Sequence, residues 1–197
     1  MEKHVLGLAL PTDPRWVDIA GKDIEAILVD HAYCEQKAAS SCISLIVQYP
    51  EKEALVRMLV PVVAEEWSHF ERVLAELGKR GFPLGSPRKD DYVEQLLRVL
   101  KKGGTRDAQL VERLLMNALI EARSCERFRL LSLEIQDEGL RSFYHELMIS
   151  EAGHYRNFLM LAKTYVDPVQ VERRWREWLA AEADIVRSLR ARADRMH

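Results

Sequence analysis

The sequence carries the same arrangement of acidic and histidine residues twice. In each copy a glutamate is followed, 31 positions later in the first copy and 30 in the second, by a Glu-x-x-His motif. The two copies are Glu35 with Glu66 and His69, and Glu121 with Glu151 and His154. Because the six histidines of the 197-residue chain give fewer than one chance Glu-x-x-His match, the repeat indicates a helix, a turn and a second helix, used twice.

Apolar residues recur at three- and four-residue steps along nearly the whole chain, which predicts an all-α protein. Two pairs of long helices joined by a long connection predict a four-helix bundle with a crossover between the second and third helices, and an extra C-terminal helix. The length suits a single domain over residues 1–197. The predicted helices cover 18–48, 50–78, 92–102, 107–136, 140–165 and 168–193.

Two local features refine these helices. Pro61 lies inside the second helix and predicts a kink there. The third long helix needs a side chain to accept hydrogen bonds from its first backbone N–H groups, and either Thr105 or Asp107 can cap it.

The repeated glutamates and histidines fall on the helix faces that should be apolar. An ionised carboxylate in a protein core is costly unless something compensates it. The spacing of Glu-x-x-His places both side chains on one helical face, where they can bind one metal ion. The six residues therefore predict a site for two divalent cations, and their carboxylate-rich composition favours iron or manganese over zinc.

Several neighbouring residues leave alternatives open. Glu126 and, less closely, Glu112 compete with Glu121 as the ligand of the third helix, whereas Glu65 points about 100° away from Glu66 and is expected to be solvated. His31 lies one turn before Glu35, either beside the metals or as an ordinary core residue. Gly153 either leaves space beside the metals or allows close packing with another helix.

Composition bounds the remaining possibilities. No apolar run approaches the roughly 18 to 20 residues of a membrane span, and the first residues lack the layout of a signal peptide, so we expect a cytoplasmic protein without a membrane partner. The three cysteines, Cys34, Cys42 and Cys125, form no Cys-x-x-Cys pair and are expected to be buried free thiols.

At the six predicted ligands the chain resembles the ferritin-like di-iron carboxylate superfamily. Over its whole length it resembles the tRNA 2-methylthio-isopentenyladenosine hydroxylases within that superfamily. The stretches that carry this resemblance are residues 10–16, 30–39, 65–70, 120–128 and 150–155.

The resemblance implies a monooxygenase with two iron ions and molecular oxygen as co-substrate. It would hydroxylate the isopentenyl side chain of the hypermodified adenosine beside the tRNA anticodon. Electrons would come from a separate reductase or ferredoxin, since three scattered cysteines cannot hold an iron–sulfur cluster. The oligomeric state, a monomer or a small oligomer, is left open.

An RNA partner would meet the basic part of an otherwise acidic chain. Residues 79–106 hold eight basic and three acidic residues, and arginines also recur on the third long helix. The candidate RNA-binding residues are Arg88, Lys89, Lys101, Lys102, Arg123 and Arg127.

Three other functions share this ligand pattern: another di-iron oxidase or hydroxylase with a different substrate, an iron storage or detoxification protein, and a manganese catalase. The basic crossover and the extra C-terminal helix over 168–193, which is rich in tryptophan and arginine, are unexpected in the subunit of an iron storage shell. RNA binding, sizing chromatography and metal analysis with a peroxide assay would discriminate among them.

Overall fold

A computed structural model of the chain describes residues 5–189 and Met196, with the side chain of Val5 left out. All regular structure within these residues is helical. After a short 3-10 turn at Val5–Gly7, the helices are α1 (Arg15–Ala20), α2 (Ile24–Gln48), α3 (Glu53–Lys79), α4 (Asp91–Val99), α5 (Arg106–Glu134), α6 (Glu138–Tyr165) and α7 (Pro168–Ser188).

The described residues fall into two compact units. The α2–α3 unit contains residues 19–89 and Met196, and the α5–α6 unit contains the described residues before 19 and those from 90 to 189. The single domain expected over 1–197 stays a prediction. Within the described residues, no helix is long and apolar enough to cross a membrane.

In the α2–α3 unit, the predicted helix over 18–48 is wrong at its start. The chain forms the short α1, turns at residues 21–23, and begins α2 only after Asp23. The carboxylate of Asp23 accepts a hydrogen bond from the backbone N–H of Ala26 at 3.0 Å, which caps the new helix. The end of α2 before Tyr49-Pro50 is as predicted.

Helix α3 buries one face and exposes the other. The predicted stripe of Leu55, Leu59, Val62, Glu66, His69 and Val73 is buried throughout. The helix starts at Glu53 rather than at Pro50, and it continues through Pro61, which lies on the exposed side. Glu65 is exposed, as predicted, although it adjoins the buried Glu66.

In the α5–α6 unit, side-chain caps fix where the long helices begin. Thr105, not Asp107, caps α5 by accepting a hydrogen bond from the N–H of Ala108 at 3.1 Å. Asp137 caps α6 in the same way through Leu140, at 2.9 Å. The predicted inward stripes of both helices are buried: Leu114, Ala118, Glu121, Cys125 and Phe128 on α5, and Leu147, Glu151, His154, Phe158 and Leu161 on α6.

Helices α4 and α7 complete this unit. Tyr92 and Leu96 of α4 are buried, as is Trp178 of α7, and the two helices pack on each other. Helix α7 ends at Ser188 with Leu189 extended, which is earlier than predicted, and residues 190–193 of the predicted helix lie outside the described residues.

Candidate metal centre

In the α2–α3 unit, Glu35, Glu66 and His69 come together in the interior. All three are buried, and each offers a ligand atom within 4.8 Å of the others. The Nδ1 atom of His69 lies 3.4 Å from Oε2 of Glu35 and 3.7 Å from Oε2 of Glu66. The first copy of the sequence repeat thus forms a compact buried triad.

In the α5–α6 unit, Glu121, Glu151 and His154 form a second triad of the same composition. These residues are also buried, with ligand atoms within 4.8 Å of one another. The Nδ1 atom of His154 lies 3.2 Å from Oε2 of Glu151, its partner in the Glu-x-x-His motif.

The donor set of each triad fits a divalent transition metal. Two carboxylates this close repel each other in a buried environment, and a cation removes that repulsion. Carboxylate oxygens with a single imidazole suit iron or manganese, whereas structural zinc sites are usually closed by thiolates or several imidazoles. The imidazole of each motif adds a neutral donor without adding negative charge.

His31 contacts the first triad directly. It is fully buried on α2, one turn before Glu35, and its Nε2 atom lies 2.5 Å from Oε1 of Glu35. This contact places His31 beside a predicted ligand, and its role beside a metal stays a prediction.

The two competitors of Glu121 on α5 are engaged elsewhere. Glu126 accepts hydrogen bonds from the backbone and the hydroxyl of Thr12 and from Arg123. Glu112 is bound by the guanidinium of Arg174 and by the backbone N–H of Lys101. Charge-assisted partners of this kind satisfy both carboxylates, which leaves Glu121 as the α5 residue in the triad.

Arg123 and Arg127, predicted as RNA-binding residues, lie in the interior, so this prediction is wrong. Arg123 has no exposed surface, and Arg127 is buried with its guanidinium 4.7 Å from the ring centre of Trp16. Burial, reinforced by repulsion from Arg123, lowers the pKa of Arg127 to about 10, which still leaves it charged at neutral pH. A basic residue on a long helix can face the core when acidic partners meet it there.

Arg123 joins segments that are distant in sequence, a role that the predicted RNA contact did not include. Its guanidinium donates to the carbonyl oxygen of Leu10 at 2.9 Å, to the hydroxyl of Thr12 at 3.0 Å and to Glu182 of α7 at 2.8 Å. The hydroxyl of Tyr92 on α4 donates to the same Glu182 oxygen at 3.2 Å. This buried network ties the N-terminal segment, α4 and α7 to the helix that carries Glu121.

Gly153 is not closely packed, so one of its two predicted explanations is wrong. A Cβ atom at this position would meet no atom within 4 Å, its own helix backbone aside. The residue lies about 100° from His154 and about 160° from Glu151 around the helix, so this open space is not on the face that carries the two predicted ligands.

The other four candidate RNA-binding residues are exposed. Arg88 and Lys89 lie in the loop that follows α3, and Lys101 and Lys102 follow α4. Lys101 is partly neutralised, because its ammonium group lies 2.7 Å from Glu177 of α7. The three cysteines are free, with Cys42 and Cys125 buried and Cys34 partly buried.

Comparisons with known proteins agree over the whole chain. Residues 2–197 match the family described as tRNA-(MS[2]IO[6]A)-hydroxylase (MiaE). A tRNA 2-(methylsulfanyl)-N(6)-isopentenyladenosine(37) hydroxylase of Pseudomonas putida is 39% identical over 92% of this chain and 87% of its own length. The enzyme of the same name from Salmonella typhimurium is 26% identical over 92% of this chain and 84% of its own.

A solved structure matches as well. It is described as protein 43 with aldehyde deformylating oxygenase activity from Synechococcus, and it is 33% identical. The match covers 96% of this chain and 94% of that one, with a TM-score of 0.91. The predicted all-α, ferritin-like fold is thereby confirmed.

Proposed function

This chain belongs to the MiaE family of tRNA hydroxylases, and from that premise we propose that it hydroxylates the isopentenyl side chain of 2-methylthio-isopentenyladenosine beside the tRNA anticodon, using oxygen. The resemblance seen in the sequence and the predicted enzyme class, a tRNA hydroxylase, are confirmed by the family match and by two relatives that carry this name. What the chain's own residues contribute rests on the two triads.

The observation that carries the proposal is the pair of buried Glu, Glu and His triads. We propose that Glu35, Glu66, His69, Glu121, Glu151 and His154 together hold two iron ions. Each triad supplies three donor atoms, fewer than iron usually takes, which leaves positions for oxygen. When bound, the iron ions would supply oxygen activation, the chemistry needed to insert one oxygen atom into an allylic C–H bond of the isopentenyl group.

The protein's own part is to hold these groups in place and to keep water away. Every residue of both triads is buried, so water does not compete with these side chains for the metal. Each Glu-x-x-His pair lies on a single rigid helix, which fixes the two side chains relative to each other. A hydrocarbon side chain would be bound by the apolar residues that line the same helix faces.

Electrons would have to come from another protein. Two electrons are needed to reduce one atom of molecular oxygen to water while the other enters the substrate. The three described cysteines are single free thiols, so we propose a separate reductase or ferredoxin as the donor. With tRNA as the substrate, we expect the protein to act in the cytoplasm.

For tRNA we propose phosphate contacts by Arg88 and Lys89 in the α2–α3 unit, and by Lys101 and Lys102 in the α5–α6 unit. All four side chains are exposed and can reach phosphate oxygens. Arg123 and Arg127 are excluded as RNA-binding residues because they are buried. Phosphate contacts of this kind would position the RNA, while the site itself selects the modified base.

The decisive experiment is a single-turnover reaction with nucleoside mass analysis. Iron-loaded, chemically reduced protein is mixed aerobically with tRNA that carries the 2-methylthio-isopentenyl modification. The proposal predicts a nucleoside heavier by one oxygen atom, and labelled oxygen gas should supply that atom. No mass shift, or an oxygen that comes from water, would contradict the proposed reaction.

A further inference from the structure

The two oxygen atoms of Glu35 have different neighbours. Oε1 lies 2.5 Å from Nε2 of His31, and Oε2 lies 3.4 Å from Nδ1 of His69 in the first triad. His31 and Glu35 are four residues apart on α2, so the helix itself holds them one above the other. One oxygen is therefore turned toward His31 and the other toward the predicted ligands.

Metal binding would fix the roles of the two atoms in this contact. A carboxylate that binds a metal ion is ionised and can only accept hydrogen bonds, so in the metal-bound site the Nε2 atom of His31 carries the hydrogen. A hydrogen bond to an ionised acceptor in a buried environment is stronger than one between neutral groups. Water does not compete for this hydrogen bond, because His31 has no exposed surface and Glu35 is only 4% exposed.

We propose that His31 is a positioning residue that keeps Glu35 bound to the metal through Oε2 alone. The inference rests on the function proposed above, because it concerns how one predicted ligand meets the metal. With Oε1 held by His31, turning the carboxylate so that both oxygens face one ion would weaken or break this hydrogen bond. A carboxylate without this restraint can bind through one oxygen or through two, and the second mode occupies an extra coordination position.

The consequence concerns the access of oxygen. A position on the metal that Glu35 does not fill stays open to a small molecule. Hydrogen bonds to the groups that ligate a metal generally set their orientation, and their loss costs about 10- to 100-fold in metal affinity or activity. His31 would therefore act on the metal through Glu35, without touching the metal itself.

Three substitutions at this position separate hydrogen bonding from packing. In His31→Gln the amide nitrogen reaches about as far as Nε2 and can still donate to Glu35. In His31→Asn the amide is as polar but ends near the position of Nδ1, one bond length short. In His31→Leu the volume is roughly kept and the donor is lost.

The measurements are ferrous iron affinity, by competition with a chelator, and the coordination number of the iron, by near-infrared magnetic circular dichroism. We expect His31→Leu and His31→Asn to lose about 10- to 100-fold in affinity and to show a higher coordination number at one iron. His31→Gln should stay within a few-fold of the unmodified protein and keep its spectrum. A packing role would instead leave His31→Leu, which keeps the volume, close to the unmodified protein, and would leave the iron coordination number unchanged in His31→Asn.

The possible results separate a failure of the His31 role from a failure of the proposed function on which it rests. If the unmodified protein holds two irons and all three variants match it in affinity and spectrum, the role of His31 is refuted and the proposed function stands. If Gln and Asn are equally impaired, hydrogen bonding by Nε2 is also refuted. An unmodified protein that binds no iron overturns both. If His31→Leu does not fold, the comparison of His31→Gln with His31→Asn still tests the hydrogen bond to Glu35.

Discussion

The guanidinium of Arg123 lies 2.6 Å from the carboxylate of Glu182, and neither side chain has any exposed surface. Arg123 is two residues from Glu121 on α5, while Glu182 lies on α7. An ion pair without water is stable only while both partners are present, since one alone is a buried charge without compensation. The network around this pair therefore holds α7 and the segment at Leu10 and Thr12 against α5, the helix that carries Glu121.

Replacing Arg123 by methionine should destabilise the protein strongly. The substitution leaves the carboxylates of Glu182 and Glu126 in the interior without their main donor, which costs about 3–5 kcal/mol in the free energy of unfolding. Denaturant unfolding followed by circular dichroism measures this loss. The matched control is Lys163→Met, which breaks the exposed pair of Lys163 with Glu172 and should cost less than about 1 kcal/mol. Equal effects of the two variants would contradict a structural role of the buried network.

Tyr92 should make the stability depend on alkaline pH. Burial, and next the charge of Glu182, raise the pKa of Tyr92 well above its ordinary value of 10. Above pH 10 the phenol of Tyr92 keeps its proton in the folded state but loses it in the unfolded chain. The contribution of Tyr92 to stability is therefore complete below pH 10 and is lost as the pH rises above 10. Unfolding experiments between pH 8 and 11 should show a shallower alkaline decline in Tyr92→Phe than in the unmodified protein. Parallel declines in the two proteins would argue against this role of Tyr92.

Loss of a single predicted ligand should abolish the reaction without unfolding the protein. We expect Glu66→Ala and His154→Ala to lose hydroxylation of the modified tRNA and to keep their helical circular dichroism, because each removes a metal donor and creates only a small space. Glu65→Ala is the matched control, since Glu65 is the neighbouring glutamate on the exposed side of α3. Turnover retained in either ligand variant would count against the site.

Charge reversal at Lys102 should weaken tRNA binding without affecting the metal. Lys102 is exposed after α4, and each lost phosphate contact reduces the salt dependence of the affinity as well as the affinity itself. In Lys102→Glu we expect weaker tRNA binding with a smaller slope against salt, measured by filter binding at several salt concentrations. Arg57→Glu, on the exposed side of α3 within the acidic first part of the chain, is the control. Unchanged affinity in Lys102→Glu would place the RNA surface elsewhere.

The triads could be predicted from sequence because they depend on local periodicity. The positions of Glu66 and His69 on an apolar face follow from helix geometry alone, and the nearly equal spacing in the second copy supports the assignment of Glu121 over Glu126. The break between α1 and α2 also had a local signal, because Gly21 and the capping residue Asp23 interrupt the periodic pattern. That signal was missed.

The buried arginines could not be predicted in the same way. Besides Glu126, three residues away, the partners of Arg123 include Glu182, 59 positions later, and Thr12, 111 positions earlier. No local pattern links residues so far apart, and a charged residue on a long helix is usually solvated. The role of His31 had a partial local signal in its four-residue spacing from Glu35, but its hydrogen bond depends on which way both side chains turn.

The most direct measurement of the central claim is the iron content of the reconstituted protein, determined by elemental analysis together with Mössbauer spectroscopy. If the two triads hold two iron ions, the unmodified protein and Glu65→Ala should contain two irons per chain, whereas Glu66→Ala and His154→Ala should contain fewer. A reconstituted protein that holds no stoichiometric transition metal, or ligand variants that hold as much iron as the unmodified protein, would contradict the account.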